Sequence, residues 1–291
     1  MRNVKVLHAF EDSANLLKSG EALRKRAKDQ GYLFMRGLLP SEPVMGVRHS
    51  VLKQCAKAGW VSANTNLLDG VASEEVHIVE GQPEFYGTYA EIQKLEDFHK
   101  LALHPKLIGL FQTLFDEEVL VHPRNICRVF FPHTTEYTTP AHQDFAQIGG
   151  TAETWTAWIP LGDCPMSLGG LAIMTGSHHE DVLPHHASIG VGGKALDTEM
   201  LEYEWVGGDM ACGDVLVFHS HTIHRALPNT TSDRLRLSVD YRYQPSSHPV
   251  REDSLLPHFQ KLTWEQIYSN WQSKEGQYFW LEQNLTVVKR E

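Results

Sequence analysis

The segment HQDF sets a histidine, His142, and a carboxylate, Asp144, two residues apart. Along an extended strand, side chains at i and i+2 lie on one side, so both would face a single metal ion while Gln143 turns away. Two histidines and one carboxylate on one face of a metal leave three positions open, the arrangement of non-haem Fe(II) oxygenases. Candidates for the second histidine stand in GDVLVFHSHTIHRALPN, which offers His219, His221 and His224. Alternation along that strand places His219 and His221 on the face of Val215 and Val217, opposite Leu216 and Phe218. From His142 to His224 is 224 − 142 = 82 residues, enough for intervening strands to fold back. The next segment, DRLRLS, sets Arg234, Arg236 and Ser238 on one face of a further strand. An arginine there clamps a carboxylate through two parallel hydrogen bonds, with the serine hydroxyl as a further donor.

Other polar and aromatic residues border these positions. Phe145 and Gln147 follow the H-x-D and are placed either to touch a bound acid or to pack. Asn125 and Arg128 flank Cys127 on a strand expected to line a barrel. Trp155 and Trp158, three apart on one strand, face opposite sides, so one belongs to the core and the other to a pocket wall. His178 and His179 are expected to fix a GSHH turn, and His185 and His186 to lie in a solvated loop.

Composition bounds the class of protein. The 291 residues are 42% hydrophobic and 21% charged, an ordinary globular mixture with length enough for a sizeable core. A formal charge of -10 argues against nucleic acid or an anionic membrane as partner. No apolar run approaches membrane-spanning length. The opening MRNVKVLHAFEDSANL has no apolar signal core, and Cys55, Cys127, Cys164 and Cys212 form no C-x-x-C. Reduced thiols and a cytoplasmic location are the expectation.

The elements that must position the chemistry follow from periodicity. EALRKRAKDQ, residues 21–30, is rich in helix formers and ends at Gly31, a helix-stopping residue. A short apolar strand, YLFMRGLLP, closed by Pro40, is followed by Ser41, Glu42 and Pro43 as a helix start, with Val44, Val47, Val51 and Cys55 along one face. Residues 104–115 form another helix with a buried face. From about residue 119 the chain breaks into short runs of β-branched and aromatic residues: VLVHP, RVFFP, TWTAWIPL, GGLAIM, YEWV, DVLVFH and RLRLSVDYRY. The fold class is α+β and β-rich, a sandwich or barrel behind N-terminal helices. A single domain is expected over residues 1–291, with its core at about 20–245 and a helical, Trp-rich tail at about 255–291. The Gly- and His-rich loop at 178–197 has the length of a lid or binding loop.

The ordered set HQDF, TWTAWIPLGD, GGLAIMTGSHH, GDVLVFHSHTIHRALPN and DRLRLS, after GYLFMRGLLPSEPV, resembles the phytanoyl-CoA dioxygenase family. The resemblance covers roughly residues 20–245. It implies a double-stranded β-helix of jelly-roll or cupin-like form and an oxygenase that uses Fe(II), 2-oxoglutarate and O2. It assigns the metal ligands to His142, Asp144 and His224. It gives the far carboxylate of 2-oxoglutarate to an arginine after the distal histidine; the R-x-S pattern selects Arg236 with Ser238 over Arg234. Trp155 is the tryptophan it favours as a wall of the cosubstrate pocket, and Gln147 is taken as a further cosubstrate contact. Two positions depart from the family pattern: Gly170 replaces a cysteine and Thr175 a proline.

Halogenating relatives carry a small residue where this chain has Asp144, so hydroxylation or a related oxidation is expected, with release of succinate and CO2. Desaturation, ring closure and epimerisation share the same ligand set. The loops carry no Lys/Arg cluster, and Lys194 is the one lysine of residues 178–197. A small metabolite or natural-product intermediate is therefore expected as substrate in place of a CoA thioester. A zinc hydrolase uses a similar ligand set but leaves the R-x-S arginine without a role. A non-catalytic binding module on the same barrel predicts a broken triad.

Overall fold

The computed structural model describes residues 7–134 and 137–290. Residues 1–6, on which the reading of the opening segment partly rests, lie outside them. In chain order the strands are β1 (Leu7–His8), β2 (Tyr32–Met35), β3 (Val119–Val121), β4 (Ile126–Phe130), β5 (Trp155–Pro160), β6 (Leu171–Met174), β7 (His186–Ala187), β8 (Lys194–Ala195), β9 (Trp205–Val206), β10 (Val215–His219), β11 (His224–Ala226), β12 (Arg236–Pro245), β13 (Val250–Arg251) and β14 (Val287–Val288). The major sheet runs β2-β10-β5-β12-β3, with β4 also on β12, and the minor sheet runs β1-β9-β6-β11. The two face each other as a double-stranded β-helix. Trp158, Leu216 and Phe218 of the major sheet pack on Leu171, Ile173 and Ala226 of the minor one.

Alternation along β12 explains both sides of the major sheet. Leu237, Val239, Tyr241 and Tyr243 enter the core shared with the helices, while Arg236, Ser238, Asp240 and Arg242 turn inward to the space between the sheets. The helical layer comprises α1 (Gly20–Gln30), α2 (Ser41–Lys57), α3 (Pro83–Gln93), α4 (Glu96–Ala102) and α5 (Pro105–Phe115). Gly31 ends α1 with φ 72°, the left-handed conformation expected of a glycine stop. Val44, Val47, Val51 and Cys55 of α2 are buried as one face. The Tyr241 and Tyr243 hydroxyls donate to Phe98 O at 2.6 Å and Ala102 O at 2.8 Å, fastening α4 to β12.

Three local differences from expectation have physical reasons. Pro40 caps α2 and Ser41 is its first residue, so the serine side chain makes no cap bond. The helices α3 and α4 escaped the periodicity reading; α3 is rich in aromatics and carries Gly87, which weakens its helical signature. The tail is less helical than expected: α7 (Trp264–Tyr268) has five residues, after a four-residue α6 (Phe145–Ile148) in the middle of the chain. The tail is ordered by aromatic packing, with Ile267, Tyr268 and Trp280 buried on Leu120 and Val250. No described helix is long and apolar enough to cross a membrane.

Candidate active site

His142 and His224 arrive from opposite directions. His224 begins β11, where it pairs with Ile173, and it also bridges to His142 just before α6. The chain then leaves the extended form, since Asp144 has φ -63° and ψ -33° and stands at the start of α6. The carboxylate thus reaches the histidines from a helical turn and not from a strand. His142 Nε2 and His224 Nε2 stand 3.6 and 3.9 Å from Asp144 Oδ1. One ligand atom from each residue lies within 4.8 Å of the others, and all three side chains are buried.

Backbone carbonyls set the tautomers. His142 Nδ1 donates to Pro140 O at 2.8 Å and His224 Nδ1 donates to Thr222 O at 3.0 Å. Each Nε2 is left as the ring nitrogen nearer Asp144. Burial pushes the His224 imidazole down to about 3, His142 adds to this, and Asp144 opposes it. Burial alone would raise the Asp144 carboxyl. Arg242, His142 and His224 outweigh it and hold the acid well below the ordinary carboxylate range. At neutral pH His224 is therefore a neutral imidazole and Asp144 an anion. Asp144 Oδ2 faces away from the histidines, where it accepts from Thr156 Oγ1 at 2.7 Å and Arg242 Nη2 at 3.4 Å.

These groups open onto a cavity between the sheets, whose apolar wall is Phe130, Trp158, Leu171 and Phe218. At another part of its wall is Arg236, 2% exposed, whose Nη1 donates to Ser238 Oγ at 2.6 Å. Its guanidinium carbon lies 4.1 Å from the Phe130 ring centre and 5.8 Å from that of Trp158. Burial lowers its pKa to about 10, so it stays charged at neutral pH, and its Nε has no partner. Buried cations are stable only when paired. A dicarboxylate that reaches from the histidines to Arg236 meets that need.

The donor set fits the cofactors that the resemblance implies. Two imidazole Nε2 atoms and one ionised carboxylate suit Fe(II), and the buried arginine without an acidic partner suits a carboxylate of 2-oxoglutarate.

Other expected residues fall elsewhere. Arg234 is exposed, with Nη1 donating to Asp69 O at 2.9 Å. Trp155 is corrected to the helix-side core, where it packs edge-on to His219 with ring centres 5.3 Å apart. Trp158 takes the cavity wall, because β5 alternates and its even-numbered residues face inward. Gln147 is also corrected: it is an exposed residue of α6, its side chain is beside Gly192, and it lines no part of the cavity. Gln143 does turn away, to hold a loop. Its amide donates to Asp181 O at 3.2 Å and His221 O at 2.9 Å and accepts from Leu183 N at 2.9 Å. Thr175 N donates to Glu204 O at 2.9 Å, a bond that the proline usual at this position cannot make.

Sequence reasoning missed Thr156, Asp240 and Arg242 on the cavity wall. Strict polar–apolar alternation in RLSVDYRYQ was the available signal. Arg128, raised as a candidate, does line the cavity. It is bound to Glu80 through Nη1 and to Asp240 Oδ2 through Nε at 3.3 Å.

Comparison with known proteins agrees with this geometry. Residues 27–237 match the model of the phytanoyl-CoA dioxygenase family. A 1-deoxypentalenic acid 11-beta-hydroxylase of Streptomyces arenae is 29% identical over 264 residues, 85% of this chain and 89% of that protein. The crystal structure of the non-haem alpha-ketoglutarate-dependent carbocyclase SnoK, from nogalamycin biosynthesis, superposes with a TM-score of 0.58 at 22% identity, covering 83% of this chain and 90% of that one. The epimerase SnoN, solved with Fe3+, alpha-ketoglutarate and nogalamycin RO, superposes with a TM-score of 0.55 at 21% identity over 80% and 86% of the two chains. These two likenesses establish the jelly-roll fold. The chain belongs to the phytanoyl-CoA dioxygenase family and is an iron- and 2-oxoglutarate-dependent oxygenase.

Proposed function

We propose that the protein hydroxylates a C–H bond of a small molecule, with His142, Asp144 and His224 as the ligands of Fe(II) and Arg236 with Ser238 as the receptor for the far carboxylate of 2-oxoglutarate. The observation that carries this reading is the convergence of His142, Asp144 and His224, one ligand atom of each within 4.8 Å of the others, with each histidine ring fixed by an Nδ1–H bond to a backbone carbonyl. When bound, iron and 2-oxoglutarate supply the oxidant that breaks the C–H bond, as O2 is consumed and succinate and CO2 are released. The protein's part is to hold the ligands, orient the cosubstrate and exclude water. Thr156 and Arg242 hold Asp144 Oδ2, which leaves Oδ1 for the metal. Retention of Asp144, in place of a small residue, favours hydroxylation over halogenation.

The cavity wall combines an apolar side, Phe130, Trp158, Leu171 and Phe218, with charged groups, which favours a small molecule that carries both an apolar framework and a polar group. A CoA thioester finds no Lys/Arg cluster in the loops. The named relatives act on 1-deoxypentalenic acid, which makes that acid the first compound to assay. The helical layer and barrel act as one catalytic domain in the cytoplasm, a location that the four free cysteines support. A zinc hydrolase gives no role to buried Arg236.

The test is a metabolite screen for substrate-dependent succinate release with purified enzyme. Succinate and an oxygenated product are expected in equal amounts. Succinate release that is unchanged in His224→Ala would contradict the assignment.

A further inference from the structure

Three arginines line the cavity, and they differ in how fully their charge is matched. Arg128 is matched by two acids, Glu80 from outside the cavity and Asp240 within it. Arg236 and Ser238 form the receptor proposed above. Arg242 differs from both. It is 8% exposed, its Nε has no partner, and its one acidic contact is the long 3.4 Å bond from Nη2 to Asp144 Oδ2. That oxygen already accepts the shorter bond from Thr156. A guanidinium carries five N–H donors in a rigid fork, and in Arg242 the Nε–H is unused while Nη2 makes only a long bond. A cation bound at His142, Asp144 and His224 draws on the Asp144 charge, and Arg242 is then left buried with still less compensation.

We infer that Arg242 is a second carboxylate receptor, beside the metal ligands, at a different position of the cavity wall from Arg236. This rests on the function proposed above and adds a chemical requirement to it. A carboxylate fits because its two oxygens match the guanidinium fork. Two sources can supply it: the metal-side carboxylate of 2-oxoglutarate, or an acidic group on the primary substrate. In either case β12 carries two acid-binding arginines six positions apart on its inward face (242 − 236 = 6).

The test compares wild-type protein with R242Q and R242K, anaerobically. Affinity for Fe(II) alone is measured first, then affinity for 2-oxoglutarate through the absorption band of the ternary complex. The shift of that band is then followed with 1-deoxypentalenic acid and with its methyl ester. R242Q is expected to retain Fe(II), with affinity lowered by no more than about tenfold, because all three ligands remain and Thr156 still holds Asp144. If 2-oxoglutarate is the source, its affinity in R242Q falls by about tenfold or more, the scale of a lost charged hydrogen bond. If the substrate is the source, 2-oxoglutarate affinity is unchanged and the preference for acid over ester disappears. R242K, which keeps the charge without the fork, should lie between, and it carries the comparison if R242Q does not fold. Loss of Fe(II) from both variants would reduce Arg242 to a support for Asp144 and overturn the inference. Unaltered 2-oxoglutarate affinity with no acid preference to lose would overturn it as well. Wild-type protein that forms no band would refute the function reading itself, and this inference with it.

Discussion

His142 and His224 are 224 − 142 = 82 positions apart, yet they exchange both backbone hydrogen bonds, His142 N to His224 O at 3.0 Å and His224 N to His142 O at 3.1 Å. Their ring centres lie 4.1 Å apart. The site therefore closes through main-chain pairing between the minor sheet and the segment ahead of α6. The two histidine side chains inherit their positions from that pairing.

The three downstream histidines should separate cleanly. His224→Ala is expected to lose tight metal binding, because one of three donor atoms goes. His219→Ala and His221→Ala should keep it, since His219 packs on Trp155 and His221 on Phe145, away from Asp144. Metal content of the purified variants checks this; iron kept in His224→Ala and absent from His221→Ala would reassign the ligand.

Arg236→Ala is expected to raise the 2-oxoglutarate requirement by about a hundredfold, the loss of a charge-assisted pair in a buried site. Arg234→Ala should stay within about threefold, because that side chain is exposed and donates to Asp69 O. Steady-state kinetics at varied 2-oxoglutarate decides it, and the reverse order would move the role to Arg234.

Much of this site was legible because its chemistry is local in sequence: an H-x-D, three clustered histidines and an R-x-S. The helical layer was legible where one face is plainly apolar, as in Val44, Val47, Val51 and Cys55. The choice between Trp155 and Trp158 was not, because periodicity says that the two oppose each other and not which sheet face looks inward. Partners across strands fix that, here Trp158 beside Asp240 and Trp155 beside Tyr243. Arg242 and Thr156 were missed for a similar reason. Their importance comes from one carboxylate oxygen of Asp144, which reaches them through the fold and not along the chain.

The unliganded protein should lose stability as pH falls from about 6.5. Burial lowers His99 and His122 to about 4 and His219 and His224 to about 3. Between those values and about 6.5 the unfolded chain binds protons that the folded chain refuses, so unfolding grows easier as pH drops. The contribution is fully present above about 6.5. At pH 5 the loss is at most about 2 kcal/mol per histidine. Melting temperature at pH 7.5 and 5 measures it, and a flat profile would show that these rings are not held neutral.

Gln143→Ala should free the 181–183 segment without removing a metal ligand. The side chain is fully buried, and its three bonds tie that segment and His221 to the residue between His142 and Asp144. Faster proteolysis within residues 178–197 is expected, with a loss of stability of about 1–3 kcal/mol. Cleavage at the wild-type rate would mean that the loop is held by its other contacts.

The central claim is that His142, Asp144 and His224 hold Fe(II) while Arg236 draws 2-oxoglutarate onto the same ion. Anaerobic titration, followed by visible absorption, tests it most directly. A weak charge-transfer band that needs both Fe(II) and 2-oxoglutarate, is abolished in Asp144→Ala and is displaced to higher 2-oxoglutarate concentration in Arg236→Ala is the predicted result. A band that survives in Asp144→Ala, or its absence from the wild-type protein with both components present, would contradict the account.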